Sequence, residues 1–146
     1  MKRILSFGLV ALFASTLLLS SCSKYDEGSN FTLLTKKSRM VNNWHLTSIT
    51  QDGLALNMSG ISLHMELMKD GSATNTLSYT VLGQTFEDVA IGTWEFNDDK
   101  SKLVLTETGA TVSDEYTILK LTKDEMKTEQ IDPSTGSVSV NTWATK

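Results

Sequence analysis

A histidine and a glutamate on one predicted strand are the first candidates for chemistry in this sequence. His64 and Glu66 are two residues apart, a spacing that places both side chains on one strand face, near enough for an acid–base pair or two metal ligands. A zinc site needs further ligands, and the only other histidine or cysteine residues are His45 and Cys22. We therefore interpret His64 and Glu66 as part of a solvated face, and we predict no metal site.

Acidic residues recur in adjacent pairs, which begin at Glu87, Asp98, Asp114 and Asp124. Glycosidase chemistry needs two carboxylates that face each other, whereas adjacent residues of a strand point to opposite faces. The sequence also contains no calcium-loop motif, no GxSxG, no glycine-rich phosphate loop and no HExxH. It therefore predicts neither an enzyme nor a cofactor.

Large apolar side chains are the candidates for binding a ligand. Thioether side chains fill irregular shapes, and an aromatic ring can line an apolar pocket. A tryptophan also buries about 150 to 250 Å² and is a natural core residue, so packing is the alternative role. The residues assigned to a ligand site are Trp94, Trp143, Met65, Met68 and Tyr79.

The charge balance argues against a nucleic-acid partner. Asp and Glu number 17 against 13 Lys and Arg. A protein that binds phosphate backbones needs a basic surface, which this composition does not favour. The single cysteine, Cys22, cannot form an intramolecular disulfide.

The N-terminus predicts a leader that is removed. Two basic residues precede an uncharged, largely apolar run over residues 4–21, and Cys22 follows directly. This order is typical of a secretory signal peptide, although a run of this length could also just span a bilayer. The segment from Leu19 to Cys22 resembles a bacterial lipobox, in which cleavage precedes the cysteine. We predict a lipoprotein signal peptide over residues 1–21, with ordinary secretion and a retained anchor as alternatives.

The lipobox resemblance implies that Cys22 is the site of lipid attachment. Several acyl chains, palmitate among them, would hold the protein to a membrane stably, whereas one chain alone is marginal. Residues 22–30 then form a polar linker. Asp26 and Glu27 resemble the acidic sorting signals of Bacteroidetes-type lipoproteins, and they fit an ordinary solvated linker equally well. We expect an outer-membrane lipoprotein of the cell envelope, on either the periplasmic or the exposed face.

Residues 31–146 predict one all-β domain preceded by a short helix. Leu33, Leu34, Met40 and Val41 share one helical stripe. From Trp44 onward the apolar period becomes two, which is typical of half-buried strands. Gly- and Asp-rich turns separate strand runs that start near Trp44, Ile61, Leu77, Val89, Leu103, Tyr116 and Val138.

About eight antiparallel strands in simple succession predict an up-and-down barrel. The connections are short and contain no βαβ crossover. Closure removes the exposed sheet edges, and an eight-stranded interior is either filled by side chains or holds one small ligand. A two-sheet sandwich is the alternative, but the continuous order favours the barrel.

Four segments resemble small bacterial lipocalin-like lipoproteins. Residues 41–49 (VNNWHLTSI) follow the short helix as the first strand of lipocalin-like domains does. Residues 92–96 (GTWEF), 103–105 (LVL) and 116–126 (YTILKLTKDEM) resemble the pattern that follows in these proteins. The resemblance covers residues 33–146 and implies a lipocalin-like, or calycin, barrel. It also implies that Trp44 is a structural anchor at the closed end.

Two functions remain open from the sequence. In the first, the barrel binds a small apolar or amphipathic molecule. In the second, a filled barrel serves as a structural or interaction module that contacts another envelope protein. Fold analogy alone does not decide between them.

Overall fold

The structure, a computed structural model, describes residues 33–145. The predicted signal peptide, Cys22 and the linker lie outside these residues. Helix α1 spans Lys36–Met40 and precedes nine strands. The strands are β1 (Asn42–Gln51), β2 (Leu54–Ala55), β3 (Ile61–Leu67), β4 (Ser72–Val81), β5 (Gln84–Phe96), β6 (Lys102–Glu107), β7 (Asp114–Leu121), β8 (Glu125–Ile131) and β9 (Val138–Thr145).

Antiparallel pairing closes the sheet into a barrel. From β3 to β9 each strand pairs with the next, and β1 pairs with both β3 and β9. The contact between β1 and β9 runs along residues 44–51 and includes a register shift between Leu46 and Ser48. Strand β2 is a two-residue hairpin arm on the end of β1. Eight strands therefore form the ring, which confirms the predicted up-and-down barrel.

The barrel has two different ends. At the closed end lie α1 and the β3–β4, β5–β6 and β7–β8 turns. At the mouth lie the β1–β2, β4–β5, β6–β7 and β8–β9 connections.

Helix α1 seals the closed end. Thr35 caps it by accepting a hydrogen bond from the Ser38 backbone N–H, at 3.1 Å. The guanidinium of Arg39 donates to the carbonyl oxygen of Leu121 at the end of β7, at 3.2 Å. Arg39 and Met40 are both buried. Within residues 33–145 no helix is long and apolar enough to cross a membrane.

The predicted apolar stripe of the helix is wrong in its first half. Leu33 is fully exposed and Leu34 is exposed, while Met40 is completely buried. The helix has only five residues, too few for a stripe of two turns. Of the helix residues only Arg39 and Met40 are buried against the barrel, and Arg39 is charged.

Strand β5 divides its apolar residues between two faces. Val89 and Ile91 are 56% and 58% exposed, whereas Trp94 is 5% exposed. Alternation requires this, because odd and even positions of a strand face opposite sides. The run predicted at Val89 is therefore a strand, but its apolar side chains point outward.

Gly92 marks the point where β5 joins β6. The registered pairing of the two strands begins at Gly92 and continues to Phe96. A Cβ atom on Gly92 would lie 2.1 Å from the Thr106 carbonyl oxygen, so the close approach requires glycine. Residues 84–90 of β5 pair with β4, and no described strand pairs with their other edge.

Strands β8 and β9 carry polar residues toward the interior. The register aligns Met126 with Trp143 and Thr128 with Asn141. Strand β8 was absent from the predicted runs because its inward positions contain one apolar residue, Met126. In β9, the alternating Val138 and Val140 lie on the face opposite to Trp143.

Candidate ligand-binding cup

A cavity of about 160 Å³ lies inside the barrel and is called the cup below. Engineered apolar cavities of about 150 Å³ hold a benzene molecule, so the cup is large enough for one small ring. Its apolar lining residues are Leu63, Met65, Leu103, Leu105 and Trp143. Its polar lining residues are Asn75, Tyr116, Thr128, Gln130 and Asn141.

Strand alternation positions these side chains. Met65 is paired with Asn75 of β4, and both point into the barrel. Met126 is buried at the closed end, and Thr128 follows it on the same face of β8. Six strands contribute to the cup, so its shape depends on closure of the whole ring rather than on one hairpin.

Trp143 is held in place by a polar contact. Its indole N–H donates a hydrogen bond to the Thr128 hydroxyl oxygen, at 3.2 Å. Both residues are buried, with exposed fractions of 5% and 1%. Because a buried indole N–H needs a partner, Thr128 fixes the orientation of the ring that forms one wall of the cup.

Tyr116 supplies an uncharged hydroxyl at the edge of the cup. Burial raises the pKa of its phenol above the ordinary value, and the nearby Asp114 carboxylate raises it further. A hydrogen bond with the Gln130 side chain lowers the pKa and offsets part of this rise. The phenol therefore stays protonated near neutral pH and can donate or accept a hydrogen bond.

A smaller cavity of about 70 Å³ adjoins the cup at the β5–β6 junction. The two cavities share Asn75, Leu105 and Tyr116 as lining residues. Glu107 and Asp114 also line the smaller cavity. The space thus continues toward the half of β5 that has no partner strand.

Apolar side chains extend the inner wall of the barrel to the mouth. The rings of Tyr79 and Phe86 stack with centroids 5.5 Å apart. Phe86, Val81 and Ile61 are between 43% and 50% exposed. These residues lie on the inner face of β3, β4 and β5, where an entering apolar molecule would meet them first.

The charged side chains are distributed unevenly along the barrel axis. All nine described Lys and Arg residues lie in the half toward the closed end: Lys36, Lys37, Arg39, Lys69, Lys100, Lys102, Lys120, Lys123 and Lys127. The mouth carries acidic residues instead, at Asp52, Glu87, Asp88, Glu107, Asp114 and Asp132. No described lysine or arginine stands beside them.

The structure brings some of the predicted ligand residues together and separates others. Met65 and Trp143 line the cup, and Tyr79 lies at the mouth. Trp94 is outside the cup lining and donates its indole N–H to the carbonyl oxygen of Met68, at 2.8 Å. Met68 likewise lies outside the cup, directly after β3.

Trp44 and Trp94 both pack toward the closed end. Trp44 is fully buried. The ring of Trp94 contacts Phe96 edge-on, with centroids 5.7 Å apart, and the Lys37 ammonium lies 5.8 Å from its centroid. These positions are typical of core residues.

The histidines lie on the outer face of the barrel. His45 and His64 are register partners on β1 and β3, and their rings meet edge-on with centroids 4.1 Å apart. Together with Glu66 they border a shallow outer depression. Residues 33–145 contain no group of three or more histidine, cysteine or acidic residues that could hold a metal ion.

Sequence reasoning missed the polar half of the cup. Asn75 stands between Ala73 and Leu77 on the inner face of β4, and Asn141 stands two residues before Trp143. A polar residue two positions from a buried apolar residue is the signal that could have identified them. The signal is weak, because it requires knowing which face is interior.

An eight-stranded antiparallel barrel, with a helix across one end and a cup within, is the architecture of the lipocalin class. The sequence profile of the lipocalin-like domain matches residues 40–128, and the chain belongs to this family. A search of curated proteins finds no match.

Several solved structures resemble the chain. The bovine lipocalin allergen Bos d 2 is 12% identical, with 75% of each chain covered and a TM-score of 0.47. The odorant-binding protein OBP1 is 16% identical, with 79% of this chain and 76% of that chain covered and a TM-score of 0.46. An odorant-binding protein from bovine nasal mucosa is 12% identical, with 83% of this chain and 77% of that chain covered and a TM-score of 0.45.

Proposed function

We propose that this chain is a non-enzymatic binding protein that holds one small apolar or amphipathic molecule in the cup. The observation that carries the proposal is the cavity of about 160 Å³, half lined by apolar side chains and half by neutral polar ones. Binding sites for small molecules are concave, mostly apolar and supplied with a few polar groups that fix orientation. A barrel filled by its own side chains would leave no such space.

The cup is preformed, so binding requires little reorganisation. Trp143 is oriented by Thr128, and Met65 is buried within β3. Each Å² of apolar surface that leaves water contributes about 25 cal/mol, and a preformed site retains more of that gain. The apolar wall that continues to Tyr79 and Phe86 provides further contact for a longer ligand.

The binding function can be tested on the segment 22–146 carrying Cys22→Ser. Within residues 33–145 the buried apolar core lies between Met40 and Trp143, and the segment contains every strand of the ring. We expect the neutral apolar dye N-phenyl-1-naphthylamine to bind with enhanced emission, with its phenyl ring in the cup and its naphthyl group against the apolar wall of Tyr79 and Phe86. Leu63→Trp, which fills the cup, should weaken binding at least tenfold, and the matched outward variant Val89→Trp should bind normally.

Circular dichroism melting is the folding control for this pair. If Leu63→Trp lowers the unfolding temperature, Leu105→Phe is used in its place, because this variant adds less volume to the same cavity. Dye binding that is absent in the parent, or equal in the cup and outward variants, would favour the filled barrel that contacts an envelope protein.

We further propose that Cys22 is lipidated and holds the protein to the outer membrane of the cell envelope. The support is the sequence order of basic residues, apolar run and small residues directly before Cys22. In cells fed an alkyne analogue of palmitate, the parent chain should incorporate label, Cys22→Ser should not, and Ser29→Ala should behave as the parent does. Label on Cys22→Ser would contradict the assignment. Protease treatment of intact cells distinguishes the exposed from the periplasmic face.

A further inference from the structure

We infer that the cup selects uncharged ligands that carry a hydrogen-bonding group, and that it rejects carboxylates. This inference rests on the proposed binding function and names the ligand class of the same site. Its basis is the combination of a lining without charged side chains and a mouth at which the charged side chains of residues 33–145 are all acidic.

The lining supplies hydrogen bonds without charge. Asn75, Gln130 and Asn141 are amides, each with donors and an acceptor, and Tyr116 has a neutral hydroxyl. An alcohol, ketone or amide of the ligand can be satisfied by such groups. A ligand without any polar atom would provide no hydrogen-bond partner for the Asn75 and Asn141 amides.

A carboxylate finds no counter-charge in the cup. None of the ten lining residues is charged. Transferring a carboxylate from water into such a site removes its hydration without providing a cation in exchange. The lysines and the arginine of the described residues all stand in the other half of the barrel.

The mouth adds repulsion to this desolvation. Glu107 and Asp114 line the adjoining cavity, and Asp88 lies on the inner face of β5 opposite Leu77. An approaching anion therefore meets three carboxylates before it reaches the cup. Exposed charges interact over about 8 to 10 Å near physiological salt, so these carboxylates act on an anion only when it is close to them.

The polar group of the ligand belongs near Asn75 and Tyr116. These two residues line both the cup and the adjoining cavity, as does the apolar Leu105. The apolar part of the ligand then lies against Met65 and Trp143. A single ring with one short polar substituent fits a space of about 160 Å³.

A matched series on one ring tests the selection. The segment 22–146 with Cys22→Ser is titrated at neutral pH with benzyl alcohol, benzoate, benzylamine and toluene. Saturation-transfer NMR detects each ligand, and displacement of N-phenyl-1-naphthylamine gives relative affinities. We expect benzyl alcohol to bind at least tenfold more tightly than benzoate.

The outcomes separate this inference from the binding function itself. Equal binding of benzoate and benzyl alcohol, with the dye bound, overturns the selection and leaves the binding function intact. Tightest binding of benzylamine also overturns it, because the acidic mouth would then hold an ammonium group. If neither the dye nor any member of the series binds, the binding function fails and this inference fails with it.

A pair of variants on β4 locates the polar group. Asn75→Leu removes an amide from the cup, and Thr76→Val changes the neighbouring outward position. Asn75→Leu should lower the affinity for benzyl alcohol at least threefold relative to toluene, and Thr76→Val should leave the ratio unchanged. An unchanged ratio in Asn75→Leu overturns the placement of the hydrogen-bonding group.

Discussion

The indole N–H of Trp44 donates a hydrogen bond to the carbonyl oxygen of Met40, at 2.9 Å, across the junction between α1 and β1. Both residues are completely buried. The bond satisfies one of the last carbonyls of the helix, which has no partner within it. It also ties the element that seals the closed end to the first strand of the ring.

Trp44→Phe should therefore destabilise the fold by about 2 to 4 kcal/mol. The substitution leaves the Met40 carbonyl unpaired in the core and opens a cavity beside it. Urea unfolding, followed by circular dichroism, measures the change in the free energy of unfolding. Tyr79→Phe, a loss of one polar group at the mouth, is the control and should cost less than about 1 kcal/mol. A Trp44→Phe variant as stable as the parent would contradict the anchoring role.

Thr128→Val tests the polar contact that holds Trp143. Valine has nearly the same shape as threonine, but it cannot accept the indole N–H, which then remains buried and unpaired. We expect a loss of about 1 to 3 kcal/mol in the free energy of unfolding. The outward Thr76→Val should change stability by less than about 0.5 kcal/mol. Similar losses in both variants would mean that the Thr128 hydroxyl contributes nothing specific.

Gly92→Ala tests the close approach of β5 to β6. The new methyl group would lie 2.1 Å from a backbone oxygen, so one of the strands has to shift. We expect a loss of about 3 kcal/mol, as in an overpacked core. Gly109→Ala is the matched control, because its Cβ meets no atom within 4 Å and only its φ of +86° is unfavourable. That variant should lose about 1 to 2 kcal/mol. Thermal unfolding of the two variants should follow this order.

Acid should weaken the junction between the β1–β2 turn and β9. The Asp52 carboxylate accepts hydrogen bonds from the Val138 backbone N–H and the Ser137 hydroxyl, both at 2.8 Å. These bonds lower the pKa of Asp52 below its ordinary value of 3.8. Between the lowered pKa and 3.8, the unfolded chain binds more protons than the folded chain does. The stabilisation is therefore complete above pH 3.8 and is lost as the pH falls through the folded pKa.

The variant that isolates this effect is Asp52→Asn. Its unfolding temperature should lie below that of the parent at neutral pH, and the difference should shrink as the pH falls below 3.8. Asp98→Asn, in the β5–β6 turn, is the control for a general change of charge. A difference between the parent and Asp52→Asn that stays constant with pH would show that the hydrogen bonds do not depend on ionisation.

Periodicity predicted the barrel because most strands alternate strongly, as β3 does between Leu63, Met65 and Leu67. It did not reveal which face is interior, since alternation looks the same from either side. Val89 and Val138 follow the strand period, yet their side chains point away from the cup. Only closure of β1 against β9 decides the inward face.

The sequence predicted only part of the candidate site, again because it does not reveal which strand face is interior. Met65 and Trp143 are large and apolar, so composition alone marked them. Asn75 and Gln130 look like ordinary surface residues until the register places them opposite buried neighbours. The distinction between the closed end and the mouth was also hidden, because the charge asymmetry exists along the barrel axis and not along the sequence.

The half of β5 without a partner strand also has a consequence for self-association. Residues 84–90 present backbone N–H and C=O groups to which a strand of another molecule could bond. Glu87 and Asp88 lie on this edge and project to opposite faces, so a second copy would bring like charges together on both sides of the new ladder. Without these charges, the unpaired edge of residues 84–90 would be open to pairing with a strand of another molecule. The two carboxylates therefore oppose pairing of this edge with the same edge of a second copy.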